Sequence, residues 1–235
     1  MIKTVLFDLD GTLLPMNQEL FVNTYIKLLQ DFFKKHGYDE KKLTETLHKG
    51  LKAMYKNDGS FSNEERFWNE FKDVYGDDII KDIPLFDQFY HTDFQSLIST
   101  CSPTIKTKEI INFLNQNQIQ IIIATNPLFP KIATGYRLQW SGIDTKDILH
   151  FTTYEDYSYT KPSLNYYQSI LDQYHLNPQE CLMVGNDIDE DMIVSQLGID
   201  VFLLTDCLIN RHNTDINIYN HGSFDDLKEY IAKKL

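Results

Sequence analysis

The chain has 235 residues, with 22 basic against 34 acidic side chains and a formal net charge of −12, a balance that disfavours broad binding to nucleic acid or to anionic membranes. Hydrophobic residues make up 42% and charged residues 24%. That excludes dominant disorder and allows one sizeable core, or a core with a smaller unit inserted in it.

Three widely spaced cysteines, Cys101, Cys181 and Cys207, form no CxxC pair, so neither a disulfide framework nor a zinc site is expected. The first apolar run is interrupted at Asp8, too early for a signal peptide, and no later run approaches the roughly 20 residues of a membrane span. Reduced thiols and a cytoplasmic location are the expectation.

Residues 3–7 read as a buried strand, rich in β-branched and large apolar side chains and ended by Asp8 and Gly11. From about residue 18 the period becomes helical through Leu20, Phe21, Tyr25, Leu28, Leu29, Phe32 and Phe33, with Gly37 as a stop. Leu43, Leu47, Leu51 and Met54 repeat that pattern. Ser62-Asn63-Glu64-Glu65 has capping-box spacing ahead of Phe67, Trp68, Phe71 and Val74, and a further helical stretch carries Ile79, Ile80, Ile83, Phe86, Phe89 and Tyr90. No strand is expected between about residues 15 and 100.

Beyond residue 104 strands and helices alternate, as in parallel βαβ units. Helices are expected at 105–114, 130–140, 163–175, 189–197 and 225–233, and strands at 119–124, 148–152, 181–185 and 201–205. The expected fold is a doubly wound, mainly parallel α/β domain (residues 1–15 plus 100–235) with an all-helical insertion at 16–99. Pro15 and Cys101-Ser102-Pro103 mark the edges of that insertion.

Ligands of such sheets bind beyond the carboxyl ends of the strands. Polar residues follow those ends here: Asp8 and Asp10, then Thr125 and Asn126, then Asn186 and Asp187, with Lys161 on a loop before Pro162. A proline at the first helical position would put Lys161 at a helix amino terminus, where anions are favoured. Taken singly, each group also reads as ordinary structure. Asp8 to Gly11 can be a turn, Thr125-Asn126-Pro127 a strand exit, and Asp189 and Glu190 the acidic first turn of a helix. There is no GxSxG, GxGxxG, Walker-type GK[ST] or HExxH pattern, and the seven His residues form no ligand-spaced cluster. The tryptophans Trp68 and Trp140 read as packing residues, and one of Tyr154, Tyr157 and Tyr159 could line a substrate entrance.

Taken together, the ordered set resembles the haloacid dehalogenase-like hydrolase superfamily across nearly the whole chain. Asp8-Leu9-Asp10-Gly11-Thr12 matches the family's first motif, Thr125 the second, Lys161-Pro162 the third, and Asn186, Asp187 and Asp191 the fourth. The helical insertion resembles the cap of the subgroup whose cap interrupts the core after the first motif. One departure is Gly185-Asn186, where many relatives have Gly-Asp.

The resemblance implies a Mg²⁺-dependent phosphatase acting on a small phosphorylated metabolite, as monomer or homodimer, with no nucleic acid or membrane partner. Asp8 would be the nucleophile and Asp10 the acid and base. Thr125, Asn126 and Lys161 would bind phosphate. Asp8, Asp10 and Asp187 would hold the metal, with Asn186 an alternative carbonyl ligand and Asp191 one layer behind. Asp10 favours phosphate over halide chemistry, since the family's dehalogenases generally lack an acid there. A phosphomutase of the same fold and a non-catalytic phosphate sensor are the competing readings.

Overall fold

The computed structural model describes residues 1–235. Six parallel strands form one sheet in the order β3-β2-β1-β4-β5-β6, with β1 Thr4–Phe7, β2 Gln120–Ile123, β3 His150–Phe151, β4 Cys181–Gly185, β5 Asp200–Leu204 and β6 Asn220–Gly222. The central strands are apolar on both faces because both faces are covered. Val5, Phe7, Ile121, Ile123, Leu182 and Val184 belong to one buried cluster, while Leu6, Ile122, Cys181 and Met183 belong to another. That two-residue alternation is the pleat itself.

The first face packs on α5 (Ile105–Gln116), α6 (Lys131–Trp140) and α8 (Phe224–Ala232), through residues such as Ile110, Leu138 and Leu227. The second packs on α7 (Leu164–Gln173) through Tyr166, Tyr167, Ile170 and Leu171. The sheet is therefore doubly wound, as expected.

Between β1 and α5 the chain holds only helical elements. These are α1 (Gln18–Lys34), α2 (Glu40–Tyr55), α3 (Asn63–Tyr75) and α4 (Ile83–His91), with 3₁₀ turns at Asp77–Asp82 and Asp93–Thr100. The Ser62 capping box forms as the spacing predicts. The two connections run side by side, Met16 bridging Cys101 and the Ser102 N–H donating to the Pro15 carbonyl at 2.7 Å. At the other end of the unit, the first N–H groups of α3 dock on the loop after β3, Asn63 donating to the Tyr157 carbonyl at 2.8 Å and Glu64 to that of Tyr154 at 2.9 Å. These are helix-terminal donors that would otherwise lack partners. Aromatic side chains meet between these ends, with Phe129 edge-on to Tyr25 and Phe21.

Three expectations need correction. Residues 189–197 are not an α-helix but turns followed by a 3₁₀ segment, Met192–Leu197, ended by Gly198 at φ +83. The Asp187 carboxylate caps a single turn by accepting the N–H groups of Asp189 and Glu190 at 3.0 and 3.1 Å, and Asp191 at the end of that turn is held by Lys161 Nζ at 2.6 Å. Second, α7 begins at Leu164 with Ser163 as its cap, so Lys161 precedes the helix instead of standing at its terminus. Third, the half-exposed β6 was not foreseen, because Asn220-His221-Gly222 has no apolar period. No helix is long and apolar enough to cross a membrane.

Candidate active site

The carboxyl ends of β1, β2 and β4 surround one cleft of about 180 Å³, beside the strand at which the sheet order reverses. Asp8, Asp10, Thr125, Asn126, Asn186, Asp187 and Asp191 all line it, together with Glu190.

Asp8 leaves β1 with its N–H bonded to the Val184 carbonyl at 2.9 Å, so its position is fixed by the neighbouring strand. Its Oδ1 accepts from Lys161 Nζ at 2.8 Å and its Oδ2 from Thr12 Oγ1 at 3.1 Å. The Thr12 hydroxyl is shared with Asn186 Oδ1 at 2.9 Å, and Asn186 Nδ2 donates to the Cys207 carbonyl at 2.7 Å. Gly11 makes this closeness feasible: its φ is +86, and a Cβ there would stand 2.5 Å from Asn186 Nδ2.

Lys161 is buried, and the carboxylates neutralise it. Its Nζ also donates to Asp191 Oδ1 at 2.6 Å. Burial pushes the Asp191 carboxyl up to about 7 and opposes the charge on Lys161, yet Asp191 and Asp8 hold the ammonium well above its ordinary pKa. The proton therefore stays on Lys161. Asp191 is held in turn by the Asp187 N–H at 3.1 Å. At Gly185 even a Cβ would fall 2.0 Å from Asp191 Oδ2, so the strand end must be glycine for Asp191 to lie across it.

Thr125 and Asn126 follow β2. The Thr125 carbonyl accepts from Thr152 Oγ1 at 2.6 Å and Tyr166 OH at 2.8 Å, which anchors the loop from behind. Asn126 Oδ1 accepts the Lys161 N–H at 3.2 Å and its Nδ2 donates to Glu190 Oε2 at 3.2 Å, tying the second, third and fourth loops together.

Two cations in this arrangement were not foreseen. Arg137, buried on α6, pairs with Asp10 Oδ2, donates to Thr134 Oγ1 at 2.9 Å and lies 4.5 Å over the Phe129 ring. Its signal was present in the sequence as a charged residue on the helix stripe of Ala133, Thr134 and Leu138. Asp10 Oδ1 is buried without a partner, and burial raises the Asp10 pKa against the opposing pull of Arg137. Arg211, half-exposed, pairs with Asp187 Oδ2 at 2.7 Å, and its loop carries no motif that could have announced it.

The donors facing the cleft suit a hard cation. Asp8 and Asp187 offer carboxylate oxygens, and the Asp10 carbonyl, which accepts from Gln18 Nε2 at 3.0 Å, has a second lone pair. No three His, Cys, Asp or Glu side chains stand at metal-ligating spacing; the oxygens that could serve a cation are those of two carboxylates and a main-chain carbonyl.

The family model for haloacid dehalogenase-like hydrolases matches residues 2–194. The chain belongs to that family. No curated protein matches this hydrolase. Among solved structures it is similar to a phosphoglycolate phosphatase, so assigned by prediction, from Haemophilus somnus 129pt (16% identity, 98% of each chain covered, TM-score 0.60). It is also similar to the candidate HAD-hydrolase YfnB of Bacillus subtilis bound to magnesium (16% identity, 98% of each chain, TM-score 0.55). A third is the defluorinating L-2-haloacid dehalogenase Rha0230 (12% identity, 98% of this chain and 95% of that one, TM-score 0.58). At such identities the likeness establishes the fold of the hydrolase. Its chemistry must be argued from its own side chains.

Proposed function

We propose that this hydrolase is a phosphatase that cleaves a small phosphate monoester through a phosphoryl group carried on Asp8, with residues 16–99 acting as the cap over the cleft. The observation that carries the reading is the pairing of Asp8 and Asp10 in one cleft. Asp8 is held by Lys161 and Thr12. Asp10, two residues on, lines the same space with a pKa raised by burial.

Asp8 attacks the phosphorus in line, and the bond from phosphorus to the alcohol oxygen breaks. Asp10, in its acid form, gives its proton to that departing oxygen. Asp10 then takes a proton from water, which attacks the phosphorus, and the bond to Asp8 breaks to release inorganic phosphate. The Thr125 hydroxyl and the N–H groups of the loop after β2 hold the transferring oxygens, while Lys161 offsets their charge.

The oxygen set of Asp8, Asp187 and the Asp10 carbonyl would hold Mg²⁺, which when bound supplies charge neutralisation of the phosphoryl oxygens. Support for that cation comes from the donor chemistry and from the magnesium in the YfnB structure. Asp10 also supports phosphate over halide substrates, since displacing a halide needs no acid to protonate the leaving group.

The test is phosphate release from an aryl phosphate with and without Mg²⁺, beside Asp8→Asn. Release that depends on both Mg²⁺ and Asp8 is expected. Equal release by the variant would remove Asp8 as nucleophile, and no release by either would favour a non-catalytic phosphate binder.

A further inference from the structure

Helices α1 to α4 enclose a second cavity, of about 220 Å³, against the loop after β2. Val22, Tyr55, Leu128 and Phe129 line both this cavity and the catalytic cleft, so the two adjoin. Their chemistry is opposite. The cleft carries the carboxylates, whereas fourteen of the sixteen residues around the cavity are hydrophobic and its one charged side chain is the exposed Asp87.

No Lys, Arg or His lines either compartment. The cations of the site, Lys161, Arg137 and Arg211, are each already paired with an acid. An anionic group on the far side of the phosphate would thus be buried in an apolar space without a counter-ion and near Asp87, which is strongly unfavourable. Aromatic walls suit a ring instead, since Trp68, Phe67, Phe86 and Tyr154 surround the space. An apolar cavity of roughly 150 Å³ is large enough for benzene, and this one is larger.

From these observations we infer that the alcohol half of the substrate is uncharged and apolar, carries an aromatic or similarly bulky group, and binds in this cavity. The inference rests on the phosphatase reading and narrows it. It excludes a substrate with a carboxylate beside the phosphate, and it excludes the second phosphate that a phosphomutase must handle.

Esters of primary alcohols separate binding from leaving-group reactivity. The protein is assayed with 2-phenylethyl phosphate, ethyl phosphate, glycerol phosphate and phosphoglycolate. The kcat/KM for the phenylethyl ester is expected to exceed each of the others by roughly tenfold or more, as follows from moving a phenyl ring out of water. Leu51→Trp fills the cavity from α2 without touching the cleft, and Ile26→Phe does so from α1. Each should erase most of the phenylethyl advantage and leave ethyl phosphate turnover unchanged, which also reports that the variant is folded. Equal or faster turnover of glycerol phosphate or phosphoglycolate would overturn the inference and leave the phosphatase reading standing. An advantage that survives both variants would overturn it too. No turnover of any ester would overturn the phosphatase reading and this inference with it.

Discussion

Lys161 Nζ donates to Asp8 Oδ1 at 2.8 Å, joining residues 153 positions apart in the chain. The contact makes the loop before α7 part of the same site as the first strand. It also explains how a chain with net charge −12 can bring a phosphate to a cluster of acids. The compensation is local and buried, so the overall field matters little.

Arg137 is the cation paired with Asp10, and it is almost completely buried. Arg137→Met leaves Asp10 in a desolvated position without its partner. The variant should lose about 3 kcal/mol of unfolding free energy, measured by urea denaturation. Arg137→Lys should restore little, because one ammonium cannot also reach Thr134 Oγ1 and the Ala133 carbonyl as the guanidinium does.

Thr125 is held in place through its carbonyl, by Thr152 and Tyr166, which leaves its hydroxyl for the transferring oxygens. Thr125→Ala should therefore keep the fold and lower kcat by roughly a hundredfold, as the loss of one preorganised donor does. Steady-state kinetics beside a melting curve would check both halves of that expectation.

The elements around this site differ in how far the sequence announces them. Asp8 to Thr12, Lys161-Pro162 and the apolar runs of β1, β2 and β4 stand out because buried parallel strands must be continuously apolar and must stop at their polar ends. Arg137 leaves a faint trace as a charge on the buried stripe of its helix, which does not name Asp10 as its partner, and Arg211, on an irregular loop, leaves none. The segment 189–197 misleads for a related reason: its acids look like a helix start, but Asp191 is held by Lys161, and Asp187 just before the segment by Arg211. The apolar cavity is equally silent in the sequence. Leu47, Leu51 and Phe86 have the same helical spacing whether they fill a core or leave a space beside it.

The pH dependence follows from Asp10. Burial raises its pKa above 3.8, so its acid form persists to higher pH than an exposed aspartate allows. Departure of an alcohol requires that proton, and activity on alkyl esters should be highest on the acidic side and fall as pH rises through the raised value. Asp10→Asn should abolish alkyl ester turnover but spare much of the first phosphoryl transfer from 4-nitrophenyl phosphate, whose leaving group needs no proton. Burst kinetics with the two esters would check this, and an unchanged pH profile in the variant would contradict it.

Arg211 engages the Asp187 carboxylate that is proposed to hold Mg²⁺, and because it is half-exposed its ion pair adds little stability. Arg211→Ala should leave unfolding almost unchanged and lower the Mg²⁺ concentration needed for half-maximal activity by a few-fold. Chelation should abolish turnover in wild type and variant alike, and Mg²⁺ should restore it.

The central step of the proposed reaction is the bond between an Asp8 carboxylate oxygen and phosphorus. Acid quench of the enzyme during turnover, followed by mass spectrometry of its peptides, tests that bond directly. One phosphoryl group on the peptide containing Asp8, absent in Asp8→Asn, is the predicted result. A phosphoryl group on another residue, or undiminished turnover by Asp8→Asn, would contradict it.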